Sequence, residues 1–120
     1  MSPTVEGVSD DDMQAMADYV ATLPPPNAPA TPVDDARYER GKRLARNHLC
    51  DTCHGADYAG REHVARLAWQ QEDYLMKTLL AYKAGTRIGI QAAMAEVLSP
   101  LDENDLADLS HFLAHFRAGE

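Results

Sequence analysis

Apolar residues recur at three- and four-residue spacing in four stretches of this chain, and no stretch alternates convincingly in the two-residue rhythm of a strand. The first stretch follows Ser9, an N-cap residue with Asp12 three positions on and acids throughout the first turn. Its stripe is Met13, Met16, Val20 and Leu23. The second begins at Asp34 or Asp35 and runs to about His48, with Tyr38, Gly41, Leu44 and Ala45 on one face. Gly41 costs about 1 kcal/mol against alanine inside a helix, a cost that close approach of another helix would offset. The third runs from about Gln71 to Ala84, with Tyr74, Leu75, Thr78, Leu79 and Tyr82 sharing a face and Gly85 as C-cap. The last opens at Asp102 and turns Leu106, Leu109, Phe112, Leu113 and Phe116 inward, leaving His111 and His115 on a solvated face. Residues 55–66 read as irregular, and Thr86 to Met94 as a loop with turn character at Gly89 and Gln91. The pattern predicts an all-α fold.

Five prolines crowd the nine residues from Pro24 to Pro32, which excludes a helix or inner strand and favours an extended spacer. Shifted by 93 positions, the first helix lies on the last: Met13 falls on Leu106, Met16 on Leu109, Tyr19 on Phe112, Val20 on Leu113 and Leu23 on Phe116. Residues 1–23 are therefore expected to be the closing helix of an upstream copy of the same domain, with 24–33 a proline-rich linker and 34–120 the complete domain.

Between the second and third helices lies Cys50-Asp51-Thr52-Cys53-His54, a C-x-x-C-H motif holding both cysteines of the chain. Each thiol can add to one vinyl group of haem, and the spacing lets both sulfurs reach one porphyrin edge. His54 is then positioned to put an imidazole nitrogen on iron. A four-cysteine zinc site cannot be built from two cysteines, and the usual histidine spacing of a Cys2His2 site is poorly matched. A redox dithiol would be expected in an alternating strand and helix pattern, which is missing.

Composition narrows the field further. The 120 residues carry 19 acids against 11 Lys and Arg, a formal charge of −8. No basic stripe favours nucleic acid, so a partner with a basic docking surface is the natural expectation. No apolar run is long enough to span a membrane, and no charged-then-apolar leader follows Met1. No nucleophile–base pair or carboxylate dyad suggests hydrolytic chemistry.

In order, a helix with Gly41, the C-x-x-C-H motif, Leu67-Ala68-Trp69-Gln70 with Tyr74-Leu75, then Tyr82, Gly85 and Arg87, Met94, and a terminal helix with Phe112 resemble class I cytochrome c, over about residues 35–117. The resemblance is to the mono- and two-haem carriers of the bacterial periplasm. It implies helices packed around one covalent haem c, attached by Cys50 and Cys53, with His54 and Met94 as axial ligands and single-electron transfer as the function. A thioether ligand favours the reduced iron. Met94, on its loop, can reach the haem face away from His54, whereas Met76 reads as helix packing. The resemblance also implies redox partner proteins, a periplasmic location, an export signal upstream and a further haem domain in the parent protein. Two places depart from the family. Val64-Ala65 stands where a proline usually offers its carbonyl to the proximal imidazole, and Trp69 where glycine is frequent. The indole N–H is open to a packing role or to a haem propionate; Arg87 is open to a propionate or to solvent. The rival reading is a haem sensor or enzyme with an open sixth position.

Overall fold

The computed structural model describes residues 5–87 and 92–119. Among them six helices follow one another: α1 (Asp10–Thr22), α2 (Asp35–Asn47), α3 (Cys50–His54), α4 (Glu72–Ala84), α5 (Ala92–Leu98) and α6 (Glu103–Ala114). The sole β pairing among the described residues is an isolated bridge between Arg61 and Val64. The all-α expectation holds, and the caps fall where the sequence signals them. Ser9 accepts from Asp12 N at 3.1 Å, and Asp34 accepts from Arg37 N at 3.2 Å. Asp102 and Asp105 form a reciprocal capping box at 2.8 and 3.2 Å. Gly85 ends α4 at φ 73°, where a side chain would be strained.

Two departures concern α3 and α5. The C-x-x-C-H segment is itself a helical turn, α3. Met94, expected on a loop, sits in the first half of α5. Gly89 and Gln91 lie outside the described residues.

Helices α2 and α6 cross at Gly41. A β-carbon there would meet the Asp108 carbonyl oxygen, and would lie 2.6 Å from Phe112 Cβ and 2.8 Å from the Asp108 carbonyl carbon. The contact is backbone against backbone, so only glycine fits. Around it Phe112 meets Tyr38, Tyr58 and Phe116 edge-on, with ring centroids 5.0, 5.7 and 5.8 Å away. The crossing is pinned outside by Asp108, which pairs with Arg40 at 2.9 Å and Arg37 at 3.4 Å. Helix α4 packs Leu75 and Leu79 toward α6, and α5 packs on α4.

His111 and His115 are not solvated, contrary to expectation: they are 4 % and 5 % exposed. Thr31 and Asp34 at the end of the proline-rich run fold over them. Asp34 N donates to His111 Nε2 at 2.9 Å, so the ring proton sits on Nδ1 and goes to Glu72 at 2.9 Å. His115 Nδ1 donates to the His111 carbonyl at 3.0 Å, and its Nε2 accepts from the Thr31 hydroxyl at 2.8 Å. Glu72, His111 and His115 are close enough to suggest a metal site. All four ring nitrogens are already engaged, and a metal on His111 Nδ1 would move the proton to Nε2, against Asp34 N–H. The cluster is a hydrogen-bonded latch between linker, α4 and α6.

Helix α1 buries no residue and touches none of the other described helices. Tyr19 and Val20 are 66 % and 61 % exposed. Its standing off lifts the radius of gyration to 15.9 Å, against about 14 Å for a compact chain of this length.

Gly41→Val should lower the chemical-denaturation midpoint by the equivalent of about 3 kcal/mol or more, because backbone cannot yield as a side chain does. His111→Leu should cost about 1–3 kcal/mol by leaving the Asp34 amide and one Glu72 oxygen unmatched. A urea titration measures it, and an unchanged midpoint would mean the latch contributes nothing.

Candidate functional site

Helix α3 is only five residues long, too short to persist by itself. It is entered through Leu49 at φ 57° and left through Gly55 at φ 92°. The carbonyls from Asp51 to Gly55 are nonetheless all matched. Asp51 O accepts from Gly55 N at 2.9 Å, His54 O from Gly60 N at 2.9 Å, and Gly55 O from Tyr58 N at 3.0 Å. Cys53 O accepts from Arg61 Nε at 3.3 Å, and Thr52 O from the same guanidinium.

His54, at the end of this turn, is 9 % exposed. Its Nδ1 donates to the Ala65 carbonyl at 2.7 Å. The carbonyl therefore does its work without a proline. Holding the proton on Nδ1 leaves the Nε2 lone pair as the ring's ligating atom.

Helix α3 forms part of the wall of an apolar cavity of about 110 Å³. Cys50, Cys53 and His54 line it from α3, and Met94 and Val97 from α5. Leu75 and Leu79 of α4 and Leu109 and Leu113 of α6 complete an almost wholly apolar lining. The structure thus brings the four sequence-predicted residues, from two helices forty residues apart (94 − 54 = 40), to one cavity. His48, which closes α2, also lines it.

The other candidates lie elsewhere. Met76 packs in the α4–α6 seam with its sulfur 4.0 Å from the Ser110 hydroxyl and does not line the cavity. His63, on the loop after α3 and so within chain reach of a haem, is exposed and also lies off it. Trp69 adopts φ 67°, which explains why glycine suits this position. Its indole donates to the Phe116 carbonyl at 2.8 Å, so it anchors the terminal helix. Arg87 stacks 5.0 Å from the Tyr82 ring centroid, and its buried Nε has no hydrogen-bond partner among the described residues.

Burial, with the Asp51 carboxylate adding to it, pushes the Cys50 thiol up to about 11. A redox-active dithiol needs the opposite shift. A haem matches the site better on two counts: two thiols at thioether spacing, and a soft sulfur and an imidazole around one apolar cavity.

Comparison with known proteins agrees. The family model for cytochrome c matches residues 38–117. No curated protein sequence matches the chain. Among solved structures, cytochrome c4 from Acidithiobacillus ferrooxidans superposes with a TM-score of 0.79 at 24% identity, over 97% of this chain and 70% of that one. Reduced recombinant cytochrome c4 from Pseudomonas stutzeri gives 0.81 at 23% identity, over 98% of this chain and 66% of that one. Thiosulfate dehydrogenase from Marichromatium purpuratum gives 0.72 at 31% identity, over 95% of this chain but 26% of that one. The matched stretch from Tyr38 to Arg117 takes in the crossing, the attachment turn and the cavity walls, and the chain belongs to the cytochrome c family: an all-helical domain for haem-based electron transfer. No described helix is long and apolar enough to cross a membrane.

Proposed function

We propose that residues 34–120 form a single-electron carrier with one haem c, joined through Cys50 and Cys53 and ligated by His54 and Met94. The observation that carries this reading is the convergence of these four side chains on one apolar cavity. A haem held there supplies an iron that exchanges one electron between ferric and ferrous states. The chain's own part is to keep the site fixed and dry. Ala65 O holds the His54 tautomer, α5 carries the thioether, and Leu75, Leu79, Leu109 and Leu113 exclude water. His54 and Met94 together would fill both axial positions of a haem iron, which favours electron transfer over catalysis on the metal. Arg87, with its buried unpartnered nitrogen, suits a propionate.

The likeness to thiosulfate dehydrogenase motivates a second role in the same chemistry: electron relay within a larger oxidoreductase. The charge of −8 suits a redox partner with a basic docking surface. Haem c attachment is a process of the outer side of the cytoplasmic membrane, so the working location is the periplasm.

Helix α1 is, in this reading, the closing helix of a preceding haem domain. Its cap, Ser9, stands 93 positions before Asp102, the cap of α6 (102 − 9 = 93). The side chains that match the buried stripe of α6 are largely exposed on α1, Met16 and Leu23 at 50% and 49%. The cytochrome c4 superpositions span nearly all of this chain, α1 region included, within longer chains.

Acid–acetone treatment should leave the colour on the polypeptide, with the mass raised by one haem. The ferric protein should show a far-red sulfur-to-iron charge-transfer band, lost in Met94→Ala and kept in Met76→Ala. Rapid carbon monoxide binding by the reduced wild-type protein at neutral pH would point instead to an open sixth position, and so to a sensor or enzyme. A variant beginning at Thr31, which retains the latch, should keep its low-spin spectrum and reduction potential. If that variant cannot hold haem, α1 is integral to this domain.

A further inference from the structure

We infer that Arg61 is a positioning residue for the proximal imidazole. The inference rests on the reading above, in which His54 Nε2 binds iron.

The His54 imidazole is aimed by a single hydrogen bond, Nδ1 to Ala65 O at 2.7 Å. That acceptor stands on an exposed, irregular segment. What fixes the acceptor therefore fixes the ring. Beyond it, Leu67 N and Ala68 N both donate to Tyr58 O, at 2.9 and 3.0 Å, and two nearer contacts hold it locally. Arg61 and Val64 exchange main-chain hydrogen bonds at 3.1 and 2.8 Å across a turn that passes through Glu62 at φ 51°. Gly60 lies so close to the backbone of residues 64–66 that a β-carbon there would be 2.6 Å from Val64 O and 2.7 Å from Arg66 N.

These contacts make the turn stiff but do not by themselves orient it against α3. Gly60 N to His54 O, at 2.9 Å, is one point of attachment. The Arg61 guanidinium is the second. It reaches back to Cys53 O at 3.3 Å through Nε and to Thr52 O through Nη2. A planar fork gripping two successive carbonyls sets direction as well as distance. The same residue thus grips the attachment turn with its side chain and the acceptor turn with its main chain. No carboxylate pairs with Arg61 among the described ion pairs, so this fork is not diverted to another acid.

A proline at position 65 offers an independent way to stiffen the same acceptor. The Ala65 N–H makes no hydrogen bond among those of the described residues, and the preceding residue, Val64, is in the bridge, an extended setting that suits a pre-proline position. Ala65→Pro therefore removes nothing, and fixes φ at the residue that owns the carbonyl.

The experiment compares the holoprotein with R61Q, R61K, A65P and R61Q/A65P. The readouts are ferric electron paramagnetic resonance, which reports the axial field around the iron, and the reduction potential. The expected result is that R61Q keeps covalent haem but shows broadened, shifted g-values and a displaced potential. R61K should be affected less, since an ammonium still reaches one carbonyl. A65P should look like wild type, and R61Q/A65P should recover most of the shift in both readouts. Rescue separates orientation from charge, because the double variant still lacks the cation. Unchanged g-values and potential in R61Q would overturn the inference, as would a shift that A65P does not reverse. If R61Q yields no holoprotein, recovery of haem in R61Q/A65P supports the role and its failure overturns it. Absence of covalent haem in the wild-type protein would instead refute the parent reading.

Discussion

The bare α-carbon of Gly41 is the contact on which the rest of this domain depends. It lets α2 and α6 touch through their backbones, and that approach sets the position of every neighbour. Phe112 is brought between Tyr38, Tyr58 and Phe116 at centroid spacings that favour edge-on rings. Tyr58 belongs to the segment after α3, so the aromatic cluster also fixes where the attachment turn leaves the helical frame. Leu109 and Leu113, on the same helix as Phe112, become part of the cavity lining. A displaced crossing would thus move the cavity and the turn together.

The polar contacts do a different task. They do not build the core; they hold chain segments that have little regular structure. The Arg37–Asp108–Arg40 set lies over the crossing, partly in solvent, and adds modestly to it. The Glu72–His111–His115 latch is drier, with both histidines nearly fully buried. Buried polar groups matched in this way specify one arrangement, because any other leaves a donor or acceptor bare. Arg61 serves the same end beside α3, where a lone helical turn could not hold its own shape.

The frame was legible because its signals are local. Ser9, Asp34 and Asp102 are good caps, Gly85 is a stop, and Gly41 carries a cost that only a close neighbour offsets. The C-x-x-C-H motif and its order among the helices are enough to mark the resemblance to class I cytochrome c. Legibility failed where a residue's surroundings come from far away in sequence. His111 and His115 lie off the apolar stripe, and nothing near them signals that Thr31, 84 positions before His115, folds over them. Helix α5 has seven residues, too few for periodicity to separate helix from loop. Trp69 shows only as an unusual residue at a glycine position; its left-handed backbone and its bond to Phe116 O exist only once α6 is in place.

Because Thr31 is latched to α6, the free span of the proline-rich run is shorter than its composition suggests. Only the seven residues 24–30 remain as spacer, eight backbone steps from Leu23 to Thr31. At about 3.1 Å per residue in polyproline geometry this is a strut of about 25 Å. A surface that receives the α1 stripe is therefore kept within that radius of the haem domain. At such a radius the two meet at an effective concentration on the order of millimolar, so even weak, rapidly reversible contact between them would be repeated often, with no need for a tight interface.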